Sequence, residues 1–81
     1  MKIFDDGLID DIAYTLYLKG YQVDWIDAES FLVAGEYNNY RISVPERQTN
    51  ICIWLVSEHE GYIFKSIVRA ITFLLGKEKG E

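Results

Sequence analysis

Two runs of alternating apolar and polar residues flank Asn38 and Asn39, and this pattern restricts the fold more than any other part of the sequence. Such alternation places every second side chain on the same face of a β-strand. Because Asn tolerates the positive φ angles of a two-residue hairpin loop, we predict a hairpin that pairs Tyr37 with Tyr40. Its apolar face then consists of Phe31, Val33, Tyr37, Tyr40, Ile42 and Val44.

Two further segments have the composition of strands. Residues 21–27 alternate, and Trp25 joins the apolar face of the hairpin if the following turn is a three-residue loop with a bulge. Residues 51–56 are apolar at every position, which is typical of an inner strand or of one whose second face is covered. The odd-numbered positions of this last segment are expected to face the core.

Apolar residues at helical spacing predict two helices, over residues 5–19 and 62–75. Asp5 or Asp6 caps the first helix, and Gly20 fits the left-handed position that ends it. The apolar stripe of the first helix consists of Leu8, Ile9, Ile12, Ala13 and Leu16.

These elements predict an α+β fold of the order α-β-β-β-β-α. Both helices are expected to pack on one face of an antiparallel sheet of three to four strands. A chain of 81 residues is expected to form one compact domain, here over residues 1–76, followed by a flexible tail over residues 77–81.

The composition excludes several classes of protein. With 49% hydrophobic and 26% charged residues, the sequence is too apolar for a disordered chain and too interrupted by charge for a membrane span. The net charge of −5 disfavours binding to nucleic acid, which requires clustered Lys and Arg. Cys52 is the single cysteine and no signal-peptide pattern is visible, so we expect a reducing, cytoplasmic location.

Few residues suggest chemistry, and each has a simpler structural explanation. His59 lies between two glutamates, but successive residues do not converge on one point, so we interpret this segment as a solvated turn. The acidic pairs at residues 5–6 and 10–11 lack the spacing of a cation site. Cys52 has apolar neighbours and is expected to be buried and inert. We therefore predict no catalytic residue, no metal site and no cofactor.

The order of helix, strands and helix resembles the topology of the double-stranded-RNA-binding domain. Such domains contact RNA through basic residues at the start of the second helix and through loops. Here the corresponding turn is acidic, Glu58–Gly61, and only Lys65 and Arg69 follow it. RNA binding is therefore not implied for this chain. In its short length, acidity and richness in Ile and Tyr, the sequence also resembles accessory proteins of phages and archaeal viruses.

One candidate contact surface is the sheet face that points away from the helices. An uncovered Trp54 in the middle of this face is costly to leave in water, and Trp is a common interface anchor. Self-association would cover it, and so would curling of the sheet or a loop. The predicted interface consists of Leu32, Ala34, Ser43, Cys52, Trp54 and Val56.

A second candidate surface is the outer face of the first helix, which is acidic and aromatic together. Its carboxylates would steer a basic partner and its tyrosines would supply contact area, even in imitation of spaced phosphates. Exposed tyrosines and scattered acidic residues are also ordinary features of solvated helices. This predicted partner-binding surface consists of Asp10, Asp11, Tyr14, Tyr17 and Leu18.

Taken together, these features predict a small acidic protein-interaction module that is not an enzyme and forms a homodimer, without nucleic acid or membrane as a partner. A viral or phage accessory or inhibitor protein that acts on a host protein would fit this description. Two alternatives belong to other classes: a minimal hydrolase or metal protein around His59 and the aspartates, and a nucleic-acid-binding domain. The latter would use Arg41, Arg47, Lys65 and Arg69.

Overall fold

The computed structural model describes residues 6–45 and 50–79. The chain begins with a helix, continues through five strands and ends with a second helix. In chain order the elements are α1 (Asp6–Leu18), β1 (Gln22–Asp27), β2 (Ser30–Ala34), β3 (Asn39–Ser43), β4 (Ile51–Leu55), β5 (Glu60–Phe64) and α2 (Ile67–Glu78).

The five strands form one antiparallel sheet in the order β1-β2-β3-β4-β5, so each strand pairs with its neighbours in sequence. Helix α1 lies against β1 and α2, and α2 lies against β4 and β5. Both helices pack on the same face of the sheet, and the α+β class is confirmed. The sheet has one strand more than the upper limit of the prediction.

The β2–β3 hairpin has the predicted faces but not the predicted loop. Val33 pairs with Tyr40, and the connection has four residues, Gly35–Asn38, in place of two. This register differs from the prediction by an even number of residues, so the same alternate side chains still face the core. Tyr37 is the exception, because it lies in the loop and is exposed.

A distant carboxylate explains the longer loop. Glu78, near the end of α2, accepts hydrogen bonds from the Glu36 backbone N–H and from the Tyr40 hydroxyl, the latter at 2.6 Å. The Gly35 N–H also donates to the Asn38 carbonyl at 2.8 Å. These bonds fix the four-residue loop, and they outweigh the local preference of two asparagines for a tighter turn.

The β1–β2 connection contains the expected bulge. Trp25 pairs with Phe31 and Asp27 pairs with Ser30, so Ile26 is the extra residue. The Asp27 carboxylate accepts from the Glu29 N–H at 2.8 Å and from the Ser30 hydroxyl at 3.0 Å. These two bonds, the Glu29 N–H first, lower the pKa of Asp27. Because Trp25 pairs with the buried Phe31, it faces the helix side, as predicted. The turn itself has two residues, one fewer than the predicted three-residue loop.

The prediction of one helix over residues 62–75 was wrong at its start. Residues Glu60–Phe64 form β5, and Ser66 caps α2 by accepting from the Arg69 N–H. The aromatic and β-branched side chains of Tyr62, Ile63 and Phe64 favour a strand, but they also continue the helical spacing of the residues that follow. The pattern alone did not separate the two elements.

The end of α2 also differs from the prediction. The helix continues to Glu78, whose side chain is buried, so residues 77 and 78 belong to the folded domain and not to a tail. Residues 80 and 81 lie outside the described residues, as do the proposed cap Asp5 and the alternative nucleic-acid ligand Arg47.

The core lies between the sheet and the two helices. Alternate strand residues meet the predicted stripe of α1 and one side of α2. The most deeply buried large side chains are Tyr40, Phe31, Ile12, Leu16, Ile42, Ile51, Ile53, Leu55, Leu74 and Val33.

Candidate functional site

The face of the sheet opposite the helices, here called the open face, has a continuous row of paired residues across all five strands. The row runs from an acidic residue at one edge through an apolar, a basic and an aromatic residue to a glycine at the other edge. In order it consists of Asp24, Leu32, Arg41, Trp54 and Gly61.

Trp54 is the largest side chain of this row, and 41% of it is exposed. A Cβ atom at Gly61 would lie 3.0 Å from Trp54 Cε3, so the indole ring lies across the backbone of β5. The His59 ring packs against it edge-on, with 6.5 Å between the centroids. The glycine lets the aromatic ring lie close to the sheet, as in other cross-strand aromatic–glycine pairs.

The predicted interface residues share this open surface. Leu32, Ala34, Trp54 and Val56 are exposed, whereas Ser43 is half-buried. Cys52 is also half-buried, which corrects the expectation that it would be buried. Neither helix packs on this side, and the exposed apolar side chains show that curling of the sheet does not bury them.

Ile63, which pairs with Cys52 and is 66% exposed, was not predicted to lie on this face. It was assigned to a helix, and only the strand β5 brings it onto the open face. With Arg41 and Trp54 it lines a shallow depression of about 570 Å³. The strand-like run Tyr62–Phe64 was the signal that could have placed it.

The second predicted surface is also exposed as expected, and the structure extends it. Asp10, Asp11, Tyr14, Tyr17 and Leu18 all lie on the outer face of α1. The side chains of Val23 and Trp25 on β1 face the same space and complete a groove of about 530 Å³. The groove depends on the proximity of α1 to β1, which the spacing of residues along the helix does not reveal.

A third group of polar residues, around Glu78, was not predicted at all. The buried Glu78 carboxylate joins α2 to the β2–β3 hairpin through its bonds to Glu36 and Tyr40. Burial first, and then the hydrogen bond to this carboxylate, raise the pKa of the Tyr40 hydroxyl. Burial and the charge of Glu78 also raise the pKa of Tyr21.

This group has the geometry of a structural clamp. A Cβ atom at Gly35 would lie 2.5–2.6 Å from the Glu78 carboxylate, closer than van der Waals contact, so the loop closes tightly over it. Both oxygens of Glu78 already accept a hydrogen bond from the protein itself. The carboxylate therefore holds the hairpin in place.

The residues considered for chemistry remain separate. His59 lies in the exposed β4–β5 turn with φ 56°, as predicted, although Glu60 and Gly61 of the predicted turn belong to β5. Over residues 6–45 and 50–79, no three His, Cys, Asp or Glu side chains are grouped as a metal site would require. Within the same ranges, no helix is long and apolar enough to cross a membrane.

The three basic residues of the nucleic-acid alternative that lie in the described part of the chain are also apart. Arg41 is on the open face, whereas Arg69 is exposed on α2, which packs on the opposite side of the sheet. Lys65 is exposed between β5 and α2. These three side chains do not form a single basic patch.

Comparison of the chain with protein-family models, curated proteins and solved structures gave no match. The geometry of the two exposed surfaces therefore carries the functional argument.

Proposed function

We propose that the chain is a non-enzymatic protein-interaction module that forms a homodimer through the open face, with Trp54 as the central anchor. The observation that supports this proposal is the exposure of Trp54 on the inner strand β4, on the sheet face against which neither α1 nor α2 packs. A large aromatic side chain with few rotatable bonds gives much contact area for little loss of entropy on binding.

The surroundings of Trp54 supply further apolar area. Leu32 is 41% exposed, Val56 is 40% exposed, and Ile63 is more exposed than either. Each Å² of apolar surface that a second copy removes from water is worth about 25 cal/mol. Covering these side chains together with Trp54 thus provides the favourable free energy of association.

The charges of the open face allow two copies to meet. Asp24 and Arg41 lie in the same cross-strand row, so the face carries both signs and two copies of it do not repel each other as like charges would. Sheets pack face to face at about 10 Å, which leaves room for interdigitated side chains such as Trp54.

The size of the face sets the expected strength. Five strands of five to six residues have a projected area of about 400 Å², given strand spacings of about 4.8 Å and rises of about 3.4 Å per residue. Two such faces together cover about 800 Å², which is below the roughly 1,200–2,000 Å² of standard interfaces and typical of weak, transient contacts. We therefore expect a dimer that dissociates on dilution.

The test is the solution mass of the full chain by light scattering over a dilution series. The variant Trp54→Glu replaces the largest apolar side chain of the face with a charged one and should be a monomer at every concentration. Tyr37→Glu is the matched control, because it replaces another exposed aromatic residue in the β2–β3 loop, outside the face. It should retain the dimer.

A second variant guards against a loss of folding. Trp54 covers Gly61, so its replacement can also affect the sheet. Leu32→Glu changes the same face two strands away and should give a folded monomer, as judged by circular dichroism. A wild-type monomer at all concentrations, or a dimer that survives both substitutions, would refute the proposal.

A further inference from the structure

The outer edge of β1 is free of any strand partner among the described residues, since β1 lies at one end of the sheet and pairs with β2 on its other side. The direction of its backbone groups follows from the neighbouring hairpin. The Gly35 N–H donates to Asn38, and the Val44 N–H donates to Glu29, so odd-numbered residues of β2 bond to β3.

Antiparallel strands alternate strictly, so the even-numbered residues of β2 bond to β1. Leu32 and Ala34 therefore exchange hydrogen bonds with Asp24 and Gln22. The backbone N–H and C=O groups of Val23 and Trp25 consequently point outward, away from the sheet. An unpaired edge of this kind is a template for another extended chain.

The side chains of the same two residues line the groove beside α1. Trp25 is 48% exposed at the edge, and its ring packs on Phe31 with 5.1 Å between the centroids, which fixes its orientation. Tyr14 and Tyr17 stand on the helix side of the groove. The groove therefore offers aromatic contact area directly next to the free backbone groups.

Carboxylates surround this edge on both sides. Asp10 and Asp11 line the groove on the helix side, and Asp24 lies on the open-face side of β1. None of the residues that line the groove within the described part of the chain is cationic. The backbone edge supplies hydrogen bonds, the aromatic residues supply contact area, and the carboxylates select the charge of the occupant.

We propose that the edge of β1 and the adjoining groove bind an extended segment of a partner protein that is rich in Lys and Arg and adds to the sheet as a sixth strand. Strand addition of this type combines main-chain hydrogen bonds with side-chain pockets on alternate residues. A second copy of this chain is a poor occupant, because its own β1 edge carries the same carboxylates. This surface is separate from the open face, so the proposal does not depend on dimerisation.

The probe is a capped seven-residue peptide in which valine alternates with lysine or arginine, labelled for fluorescence anisotropy. Two comparison peptides carry N-methyl groups, one on every valine and the other on every cationic residue. Each presents one blocked and one intact backbone edge. At least one of them should bind about tenfold more weakly, because two to three net hydrogen bonds are lost. A peptide with glutamate in place of the cationic residues should not bind.

The full chain is tested with two matched pairs of substitutions. Asp10→Asn with Asp11→Asn removes two charges from the groove and should weaken binding by up to about fivefold per lost ion pair at low salt. Glu58→Gln with Glu60→Gln removes the same number of charges at the β4–β5 turn and should change the affinity by less than about twofold. The matched loss of charge separates a local effect from the net charge of −5.

Amide hydrogen exchange gives the most specific readout. The Val23 and Trp25 N–H groups should exchange fast in the free chain and become protected when the unmodified peptide binds. The Asp24 N–H, which already bonds to β2, should change little. The same exchange measurement is made on Trp54→Glu. The protection of Val23 and Trp25 should be the same in this variant, because the β1 edge is separate from the open face and does not depend on the homodimer.

Three results would overturn the proposal. One is equal binding of both N-methylated peptides and the unmodified peptide, since binding would then need no strand pairing. Another is an equal loss of affinity in the two charge-matched variants. The third is peptide binding without any change in the exchange of Val23 and Trp25, which would place the peptide elsewhere, including on the open face.

Discussion

The two faces of the sheet are built from the same strands and differ at every second residue. On the core face, Phe31, Ile42 and Ile53 form a row that is fully covered by the helices. On the open face, the adjacent residues Leu32, Arg41 and Trp54 form a row of mixed character that remains exposed. Helices α1 and α2 cover the core face, and neither of them packs on the open face.

This contrast separates the residues that stabilise the fold from those that packing within one copy does not explain. The core residues are accounted for by packing against α1 and α2. The apolar residues of the open face have no such role within one copy, which makes them the more informative part of the sequence. Matched residues on the two faces should therefore differ strongly in how much their substitution changes the free energy of unfolding.

The largest expected difference is between two isoleucines. Ile53 is 1% exposed in the middle of β4, whereas Ile63 lies on the open face of β5. Ile53→Ala should lower the free energy of unfolding by about 2–5 kcal/mol, because it leaves a cavity in a packed core. Ile63→Ala should change it by no more than about 0.5 kcal/mol in the monomer. Chemical denaturation at low protein concentration measures both, and similar losses would contradict the assignment of the two faces.

The next effect concerns the polar group at the end of the core. Tyr40→Phe keeps the ring but removes the donor to the buried Glu78 carboxylate. An unsatisfied buried acceptor should cost about 1–3 kcal/mol, measured by the same denaturation. The control is Tyr37→Phe, which removes an exposed hydroxyl from the neighbouring loop and should be neutral.

The same hydroxyl predicts a dependence on alkaline pH. The pKa of Tyr40 is raised in the folded chain, by burial and by Glu78, whereas the unfolded chain loses this proton near the ordinary pKa of about 10. Stability from this group is therefore complete below about pH 10 and declines as the pH rises above it. Above about pH 10, the free energy of unfolding should fall less steeply with pH for Tyr40→Phe than for the wild type, as measured by chemical denaturation. Equal slopes would show that folding does not raise the pKa of the Tyr40 hydroxyl.

The smallest effect concerns the contact beneath Trp54. Gly61→Ala places a methyl group 3.0 Å from the indole ring, so the ring must move away from β5 by a few tenths of an ångström or more. The stability should change by less than about 1 kcal/mol. In a Trp25→Phe background, the fluorescence of Trp54 should shift to longer wavelength as the ring becomes more exposed. An unchanged spectrum would mean that the ring does not rest on Gly61.

The faces of the strands could be predicted from the sequence because side chains alternate with a period of two. An error in the loop of the β2–β3 hairpin left the faces intact, since the register changed by an even number. The loop itself could not be predicted, because it depends on Glu78, which lies more than forty residues from Glu36 along the chain. Sequence preferences for turns depend only on neighbouring residues, so they could not predict a contact with Glu78.

The candidate sites show the same division. Trp54 and most of its neighbours could be placed on an open face from the alternation alone. Ile63 was not placed there, because the helical spacing of α2 continues into β5 and masks the strand-like run Tyr62–Phe64. Trp25 was expected on the helix side of the sheet, but its position beside Tyr14 and Tyr17 requires the packing of α1 on β1. The pattern of residues along the chain does not predict contacts between elements that are distant in sequence.

The accessibility of the Trp54 side chain at two concentrations tests the central claim most directly. The indole N–H signal of the full chain is followed by NMR with a water-soluble paramagnetic agent, in dilute and in concentrated solution. We predict strong attenuation when dilute and protection when concentrated, with the exposed Tyr37 amide attenuated equally in both. Attenuation of Trp54 that does not change with concentration would contradict the claim that the open face binds a second copy.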